Sequence, residues 1–342
     1  MKEFKHIWVC RAANSAILIA ALSVLLIACD GKPEQHGEKE IESVRVALAM
    51  QPGNALVMVA KNQGFFKQNG LRLDLSEHPS GKRALHDSFF AGKSDIVISA
   101  DVPVALASFS ENSFVILGSI FSANNINRLI ARTDAGISTP ADLRGKKLAT
   151  QRASAVHFFL HLFLVEHGIY ERDLSLSFFK AEQLPDKLAS GFIDAFSMRE
   201  PYISLAKDKL PGGYIVFEEP GLYQQRDVVV SSREFVTNHP SVVRRFFKSL
   251  LQAEEYVQNN PRTAINIISE RLGAPPSSLE TNWPEISMEV SLDQSMLLVL
   301  EDISRWAIHE GLVEKRTLPD FLTRIHGQVL NEIAPDAVTI IQ

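Results

Sequence analysis

Residues 44–75 read VRVALAM-QPGN-ALVMVAKNQ-GFFKQNG-LRLDL, and this pattern indicates a strand, a helix and a second strand. Val44 to Met50 has the apolar, partly β-branched composition of a buried strand. Asn54, in the polar break that follows, is a suitable N-cap for a helix over Ala55 to Gln63. The pair Asn69-Gly70 predicts the turn into the second strand. A strand, a helix and a strand in this order favour two parallel strands joined by a crossover helix.

The same alternation continues to about residue 231 and predicts an α/β fold with mainly parallel sheets. Further strands are predicted at Ile96 to Ser99, Phe114 to Ser119, Arg128 to Ala131, Lys147 to Thr150, Leu174 to Phe179, Ala195 to Ser197 and Val228 to Ser231. The C-terminal third is predicted to be helical, with helices at Pro240 to Gln258, Pro261 to Arg271, Gln294 to His309 and Pro319 to Leu330.

The first 28 residues have the features of a signal peptide. A basic start precedes the apolar run Ala16 to Ile27, whose length of about 12 residues is below the roughly 20 that a membrane-spanning helix needs. The run ends in Leu26-Ile27-Ala28-Cys29, which resembles the lipobox of bacterial lipoproteins. This resemblance implies cleavage before Cys29 and lipidation of its thiol. The alternative is an ordinary signal peptide with an incidental cysteine.

Residues 29–42 are predicted to be a flexible tether, because Gly31 to Glu40 is polar, charged and free of large apolar side chains. Asp30 resembles the signal that retains Gram-negative lipoproteins at the inner membrane, which implies a lipid-anchored protein on the periplasmic side of that membrane. The two cysteines are Cys10 and Cys29. Cleavage removes the first and lipidation uses the second, so we expect no disulfide.

Charge and motifs exclude several classes of function. The net charge is −5, and about −7 without residues 1–28, so this mildly acidic chain is not expected to bind nucleic acid. It has no P-loop, GxGxxG, HExxH or GxSxG motif, and we expect no cofactor. His157 and His161 lie one helical turn apart, as in some metal sites. Two histidines are too few ligands, so we predict no metal site.

Four segments together carry a more specific pattern. They are VMVAKNQGFFKQNGLRL (57–73), GKSDIVISADVP (92–103), PADLRGKKLA (140–149) and GFIDAFSMREPY (191–202). In this order they resemble the solute-binding proteins of ABC importers of the nitrate, sulfonate and taurine class, a family that extends to binders of aliphatic sulfonates and thiamine precursors. The resemblance covers about residues 44–260.

The resemblance implies an α/β fold of the class II periplasmic-binding-protein type. Such proteins have two lobes with mixed, mainly parallel sheets, a central ligand cleft and a helical C-terminal region. We expect the chain to cross between the lobes near Ala131 to Asp134 and near Asp227 to Ser231. Lobe 1 would then comprise residues 44–132 and 230–342, and lobe 2 residues 133–229.

Ligands of open α/β sheets bind at the carboxyl ends of strands, where loops lead into helices. Free N–H groups at helix N-termini suit an anion there, and Arg152 and Arg199 would add positive charge and paired donors. Asp101, Glu200 and Asp227 would meet a cationic or hydroxyl part of the ligand. The predicted ligand-binding residues are Gln51, Asn54, Ser99, Ala100, Asp101, Arg152, Ser154, Ala155, His157, Arg199, Glu200, Tyr202 and Asp227.

Several of these residues also have a purely structural alternative. Arg152 can point to solvent, Ser154 can serve only as a helix cap, and Tyr202 can pack beneath the pocket instead of lining it. Arg199 and Glu200 can pair with each other or with the hinge. The sequence leaves these alternatives open.

The function that the resemblance implies is extracytoplasmic solute binding for an ABC importer. We expect a monomer that closes by a hinge on a small organic anion or zwitterion and delivers it to permease and ATPase subunits, without being an enzyme. One alternative is a sensory binder that presents its ligand to a membrane receptor. Another is a biosynthetic enzyme of the same fold, of the thiamine-pyrimidine or menaquinone type, which export on a lipid anchor disfavours.

Overall fold

The computed structural model describes residues 41–111, 113–280 and 282–341, and residues 41–342 form one compact unit. The predicted signal peptide, the lipidation site Cys29 and nearly all of the predicted tether lie outside the described residues. Those predictions therefore stay predictions. No helix within the described ranges is long and apolar enough to cross a membrane.

The described residues contain eleven strands in two sheets. In chain order they are β1 (Glu42–Ala49), β2 (Leu71–His78), β3 (Ile96–Ala100), β4 (Phe114–Ala123), β5 (Arg128–Arg132), β6 (Lys147–Thr150), β7 (Ser175–Phe178), β8 (Ala195–Met198), β9 (Tyr214–Phe217), β10 (Gln225–Ser232) and β11 (Ile286–Ser287). The predicted α/β class with mixed sheets is confirmed.

The first sheet has the order β11-β4-β10-β3-β1-β2 and defines the first lobe. Strand β1 pairs in parallel with β2 and β3, as the quoted strand–helix–strand pattern predicts. Strand β10 is antiparallel to both of its neighbours, β3 and β4. Nearly every residue of β4 and β10 is buried, because both faces of this sheet are covered by other elements.

The second sheet has the order β7-β6-β8-β5-β9 and defines the second lobe. Strand β6 is parallel to β7 and β8, whereas β5 is antiparallel to β8 and β9. Its small separate core includes Leu184, Leu188, Phe196 and Ile203. Strand β9, whose four residues are only partly buried, was not predicted from the sequence.

The sheet pairings correct the predicted lobe boundaries. The chain leaves the first sheet at Ala123 and returns to it at Gln225, so the crossovers lie at residues 124–127 and 218–224. The predicted crossovers, near residues 131–134 and 227–231, are therefore wrong by several residues. Both β5 and β10 read as ordinary apolar strands, and composition does not reveal which sheet a strand joins.

Thirteen α-helices are present in the described ranges, together with short 3-10 turns and a π-helical stretch at Ala84–Phe89. In chain order they are α1 (Ala55–Asn62), α2 (Phe65–Gln68), α3 (Gly81–Arg83), α4 (Asp101–Ala107), α5 (Ala155–Glu166), α6 (Leu184–Ala189), α7 (Tyr202–Lys209), α8 (Arg233–Asn238), α9 (Pro240–Asn259), α10 (Pro261–Leu272), α11 (Pro276–Glu280), α12 (Gln294–His309) and α13 (Gln328–Ile333).

The C-terminal helices pack on the first lobe. Helices α9 and α10 contact α1, and the Phe66 ring stacks on Phe246 with 5.5 Å between ring centroids. Helix α12 packs against α4. The predicted helices that begin at Pro240, Pro261 and Gln294 are confirmed almost to the residue.

The fourth predicted C-terminal helix, Pro319 to Leu330, is wrong. Ile325 forms a parallel bridge with Ile116 of β4, and the His326 amide donates to the Ile116 carbonyl at 2.9 Å. These contacts hold the chain extended where the prediction placed helix interior. Only α13 is helical in this region, beyond a short turn at Leu322–Arg324.

Candidate ligand-binding site

The carboxyl ends of strands from both sheets lead into one group of polar residues. Gln51 follows β1, Asp101 begins α4 directly after β3, and Arg199 follows β8. Asp227 lies in β10, where it pairs with Ala100 at the end of β3. Ligands of open α/β folds bind at this edge of a sheet.

Asp227 is linked through Gln51 to a residue of the other lobe. Its Oδ2 accepts a 2.8 Å hydrogen bond from Gln51 Nε2. The Oε1 of the same Gln51 accepts a 3.4 Å hydrogen bond from Arg199 Nη2. Asp227 and Gln51 belong to the first lobe and Arg199 to the second, so this short chain of contacts spans the lobes. All three residues were predicted site residues.

The carboxylate of Asp227 is fully buried but incompletely partnered. Its Oδ1 has no hydrogen-bond donor among the described residues. Burial raises the pKa of Asp227, while the side chains of Gln51 and Gln225, as hydrogen-bond donors, and the positive charge of Arg199 act in the opposite direction. A buried acceptor without a donor carries an unfavourable desolvation free energy. The free oxygen is therefore suited to a ligand that brings its own N–H or O–H group.

Gly53 allows the backbone to approach this carboxylate closely. A Cβ atom at residue 53 would lie 1.7 Å from Asp227 Oδ2, which is far inside van der Waals contact. The polar break after β1 therefore needs glycine at this position for steric reasons.

The other predicted residues of the first lobe have mixed outcomes. The prediction that the Asn54 side chain caps α1 is wrong. Its Nδ2 donates to the Ala49 carbonyl at 2.7 Å instead. This leaves Asn54 Oδ1 buried without a partner among the described residues, and the same holds for Ser99 Oγ. Ala100, the N-cap residue of α4, has no polar side chain to offer.

Asp101 is fully buried and well supplied with donors. Its Oδ1 accepts from the Tyr223 hydroxyl at 2.5 Å and from the Val102 amide at 2.7 Å, and its Oδ2 accepts from the Arg226 amide at 3.0 Å. Burial raises the pKa of Asp101 to about 7, although these three donors oppose the rise. Because its oxygens are already used, we assign Asp101 a structural role in place of the predicted ligand contact.

Two predicted residues in the loop after β6 make local contacts within the second lobe. Arg152 is exposed, and its Cζ lies 5.4 Å from the centroid of the Phe178 ring, which matches the solvent-facing alternative. Ser154 Oγ donates to the Gln151 carbonyl at 2.6 Å and does not cap α5. Ala155 is buried in the first turn of that helix.

His157 is buried, and both of its ring nitrogens have contacts within the second lobe. The Ala153 amide donates to Nδ1 at 3.2 Å, which places the ring proton on Nε2. Nε2 in turn faces Glu171 Oε2 at 3.4 Å. We therefore assign His157 to the support of this loop.

Glu200 and Tyr202 support the second lobe. The nearest cation to Glu200 is Arg128, with 3.8 Å between Glu200 Oε1 and Arg128 Nη1, and its Oε2 accepts from the Ser204 amide at 3.1 Å. The alternative pairing of Glu200 with Arg199 is thus not what the structure shows. The half-buried Tyr202 packs against the core of the second sheet.

The crossovers contribute buried residues that were not predicted from the sequence. Tyr223 is buried against Asp101, and Asn127 Nδ2 donates to Gln225 Oε1 at 3.2 Å. Their signal was present as the polar runs Asn124-Asn125-Ile126-Asn127 and Gln224-Gln225 between apolar strands. With the crossovers placed several residues too late, those runs were not considered as part of the site.

Two α/β lobes joined by crossovers, with polar groups between them, define a bilobal binding-protein fold. The structure is similar to the alkanesulfonate-binding protein SsuA from Xanthomonas axonopodis pv. citri bound to MOPS, with a TM-score of 0.70 and 21% identity over 84% of this chain and 99% of that one. It is also similar to the desulfurization enzyme DSZB, with a TM-score of 0.63 and 16% identity over 85% and 98% of the two chains. The fold therefore does not define the function by itself.

The chain belongs to the family described as NMT1/THI5 like, which matches residues 51–264. A protein of Bacillus subtilis (strain 168), whose name describes it as binding aliphatic sulfonates, is 24% identical over 259 residues, which cover 74% of this chain and 77% of the relative. The predicted family is confirmed. This relative is named as a solute-binding protein and not as an enzyme, which agrees with the prediction for this chain.

The close approach of Gly53 to Asp227 generates the first prediction. Gly53→Ala is expected to lower the free energy of unfolding by about 1–3 kcal/mol, because the new Cβ collides with the carboxylate. Gly213→Ala is the matched control: its Cβ would meet no atom closer than 3.9 Å. Urea denaturation measures both. The loss should shrink in an Asp227→Ala background, and an equal effect of both glycine substitutions would contradict the steric explanation.

The raised pKa of Asp101 generates the second prediction. Its folded pKa of about 7 lies above the unfolded value of about 3.9, so the protonated side chain favours the folded state. This stabilisation is complete below about pH 4 and is lost as the pH rises through about 7. The free energy of unfolding should therefore fall over this range relative to that of Asp101→Asn, by on the order of 2–4 kcal/mol.

Urea denaturation from pH 4 to 8 measures this fall in the free energy of unfolding, with exposed Asp208→Asn as control. Parallel pH curves for the protein and Asp101→Asn would refute the assignment.

Proposed function

We propose that the protein is the solute-binding component of an ABC importer and that it binds a small organic anion or zwitterion between its lobes. The observation that most supports this function is the contact chain from Asp227 through Gln51 to Arg199, which spans both lobes. A solute that touches Arg199 and Asp227 together makes more contacts when the lobes are close than when they are apart. Binding would therefore favour the closed arrangement. The family and the names of the relatives support the same function.

The charges of the site suggest how such a solute would be oriented. The guanidinium of Arg199 offers paired donors to a sulfonate or carboxylate. The free Oδ1 of Asp227 suits an ammonium, amine or hydroxyl group at the other end. The site is thus better matched to a short molecule with an anionic and a donor end, such as taurine, than to a simple anion.

The solved relative gives independent support for this chemistry. Its bound molecule, MOPS, carries a sulfonate at one end and an amine nitrogen at the other. A two-ended ligand would place one end on each lobe. Closure would remove both ends from water, and their polar contacts are stronger in the less polar interior of the protein. The closed form would then dock on a permease whose ATPase partner drives release.

The third prediction separates the two ends of the solute. Taurine is expected to bind more tightly than ethanesulfonate, which lacks the ammonium group, when isothermal calorimetry compares them on the purified protein. Arg199→Gln should weaken both about 10- to 100-fold, because a hydrogen bond to a charged group contributes about 1.5–3 kcal/mol. Asp227→Asn should weaken taurine selectively.

The matched control for Arg199→Gln is Arg152→Gln, which removes an exposed guanidinium from the second lobe and should leave both affinities unchanged. Loss of binding in the control, or unchanged binding in Arg199→Gln, would contradict the assignment of Arg199 as a specific solute contact. If ethanesulfonate binds as tightly as taurine, the Asp227 part of the proposal is wrong and the Arg199 part stands.

We further propose that the protein is held on the outer face of the cytoplasmic membrane by lipid on Cys29. The sequence Leu26-Ile27-Ala28-Cys29 supports this anchor. Several acyl chains bind a bilayer much more firmly than one, because each buried CH₂ contributes about 0.8 kcal/mol. The anchor would keep the solute-binding lobes close to the permease and raise their effective concentration there.

The fourth prediction concerns this anchor. When cells that express the protein are fed an alkyne-tagged fatty acid, the protein should become labelled, and Cys29→Ser should abolish the label. Cys10→Ser is the matched control, since Cys10 lies in the segment that cleavage removes, and it should label like the original chain. Label that persists in Cys29→Ser would exclude lipidation at this residue.

A further inference from the structure

Outside the proposed solute site, three potential metal ligands from both lobes converge. His161 lies on α5 and Glu171 on the 3-10 turn Glu171–Asp173, both in the second lobe. Glu310 directly follows α12, which packs on helix α4 of the first lobe. A small surface cavity of about 70 Å³ is lined by all three residues, so the cluster is accessible from solvent.

The distances within the cluster are close to those of a coordination sphere. His161 Nδ1 lies 3.7 Å from Glu171 Oε1 and 3.7 Å from Glu310 Oε1. One ligand atom from each residue lies within 4.8 Å of the other two. Zinc bonds of about 2.0–2.2 Å in a tetrahedron place ligand atoms roughly 3.4 Å apart. A small rotation of the Glu310 side chain, which is partly exposed, would complete the match.

The electrostatics of the cluster leave room for a cation. Glu171 Oε1 is mostly buried and lies between two imidazoles, 3.3 Å from His157 Nε2 and 3.7 Å from His161 Nδ1. Glu310 Oε1 in turn lies 2.9 Å from His309 Nδ1, so two carboxylates and three imidazoles meet at the cluster. Arg172, which also lines the cavity, has its guanidinium over the Tyr170 ring, 4.4 Å from the centroid.

We propose that His161, Glu171 and Glu310 bind a divalent transition-metal ion, Zn²⁺ by preference, that bridges the two lobes. One imidazole and two carboxylates are a ligand set that Zn²⁺ accepts, with a fourth position open to water from the cavity. His157, whose Nε2 faces Glu171 at 3.4 Å, would orient the Glu171 carboxylate without binding the metal itself.

The bridge has a structural consequence. Two ligands come from the second lobe and one from the C-terminal end of α12, so a bound metal would fasten that end to the second lobe. Trp306, one helical turn before Glu310, already packs against His157 and His161 with ring centroids 5.0 and 6.1 Å apart. The metal would add a bond of defined geometry to a contact that is otherwise aromatic.

The test is a zinc titration of the purified, chelator-stripped protein against a chromophoric competitor. One Zn²⁺ per chain is expected to bind, and His161→Gln and Glu310→Gln should each weaken binding at least about tenfold. The matched controls are His239→Gln and Glu314→Gln, two exposed residues outside the cluster, which should bind like the unmodified chain. Circular dichroism verifies that each variant is folded.

A second measurement decides the matter if the variants do not fold. Co²⁺ added to the stripped, unmodified protein should give the intense visible absorption of a low-coordinate ion. The spectrum of hydrated Co²⁺, the absence of stoichiometric Zn²⁺ binding, or unchanged affinity in both folded ligand variants would each overturn the proposal. None of these readings involves the solute, so failure here leaves the proposed transport function untouched.

Discussion

The buried carboxylate of Asp227 is the constraint around which the first lobe is arranged. It lies on β10, the strand inserted antiparallel between β3 and β4, and it has no exposure to solvent. An ionised group in that position needs partners, because desolvation of a lone charge is strongly unfavourable. Gln51 provides one hydrogen bond and Arg199 the nearby positive charge. Gly53 provides the space in which Gln51 and Asp227 meet. The position of β10 therefore places Asp227 beside the residues that follow β1 and β8.

The return of β10 to the first sheet also explains the second buried carboxylate. Asp101 accepts hydrogen bonds from the Tyr223 hydroxyl, in the crossover before this strand, and from the Arg226 amide near the start of the strand. Tyr223 in turn packs edge-on against Phe158 of the second lobe, with 5.1 Å between ring centroids. Asp101 therefore fixes the crossover segment, whereas Asp227, only partly satisfied, remains available to a ligand. Two fully buried aspartates, one on β10 and one directly after β3, thus have different roles, which depend on how many donors each one has.

Sequence alone predicted the fold class, the order of most strands and the family, because these depend on periodicity and on short motifs within single elements. It also predicted Gln51, Arg199 and Asp227, which the structure brings together. It failed where the outcome depended on pairing between distant segments. Nothing in the composition of Arg128–Arg132 reveals that it joins the second sheet, and Pro319 to Leu330 has helix-forming residues that a bridge to Ile116 holds extended. The choice between a ligand contact and a structural role for Arg152, Glu200 and Ser154 likewise could not be made from the sequence, since each depends on neighbours that only the fold supplies.

The two lobes meet through two kinds of contact, and the difference bears on how closure is controlled. Near Asp227 the contacts are polar, few and partly unsatisfied, so their strength depends on what lies between the lobes. Near Trp306 the contacts are aromatic, with the ring centroids of His157 and Phe158 5.0 and 5.2 Å from that of Trp306. These contacts bury apolar surface whether or not a ligand is bound. A hinge protein whose closed form rested on apolar contact alone would close regardless of solute. In the proposed hinge closure, the unsatisfied polar contacts would make closure depend on the solute, because a solute shifts the equilibrium only by the contacts it gains in one state over the other.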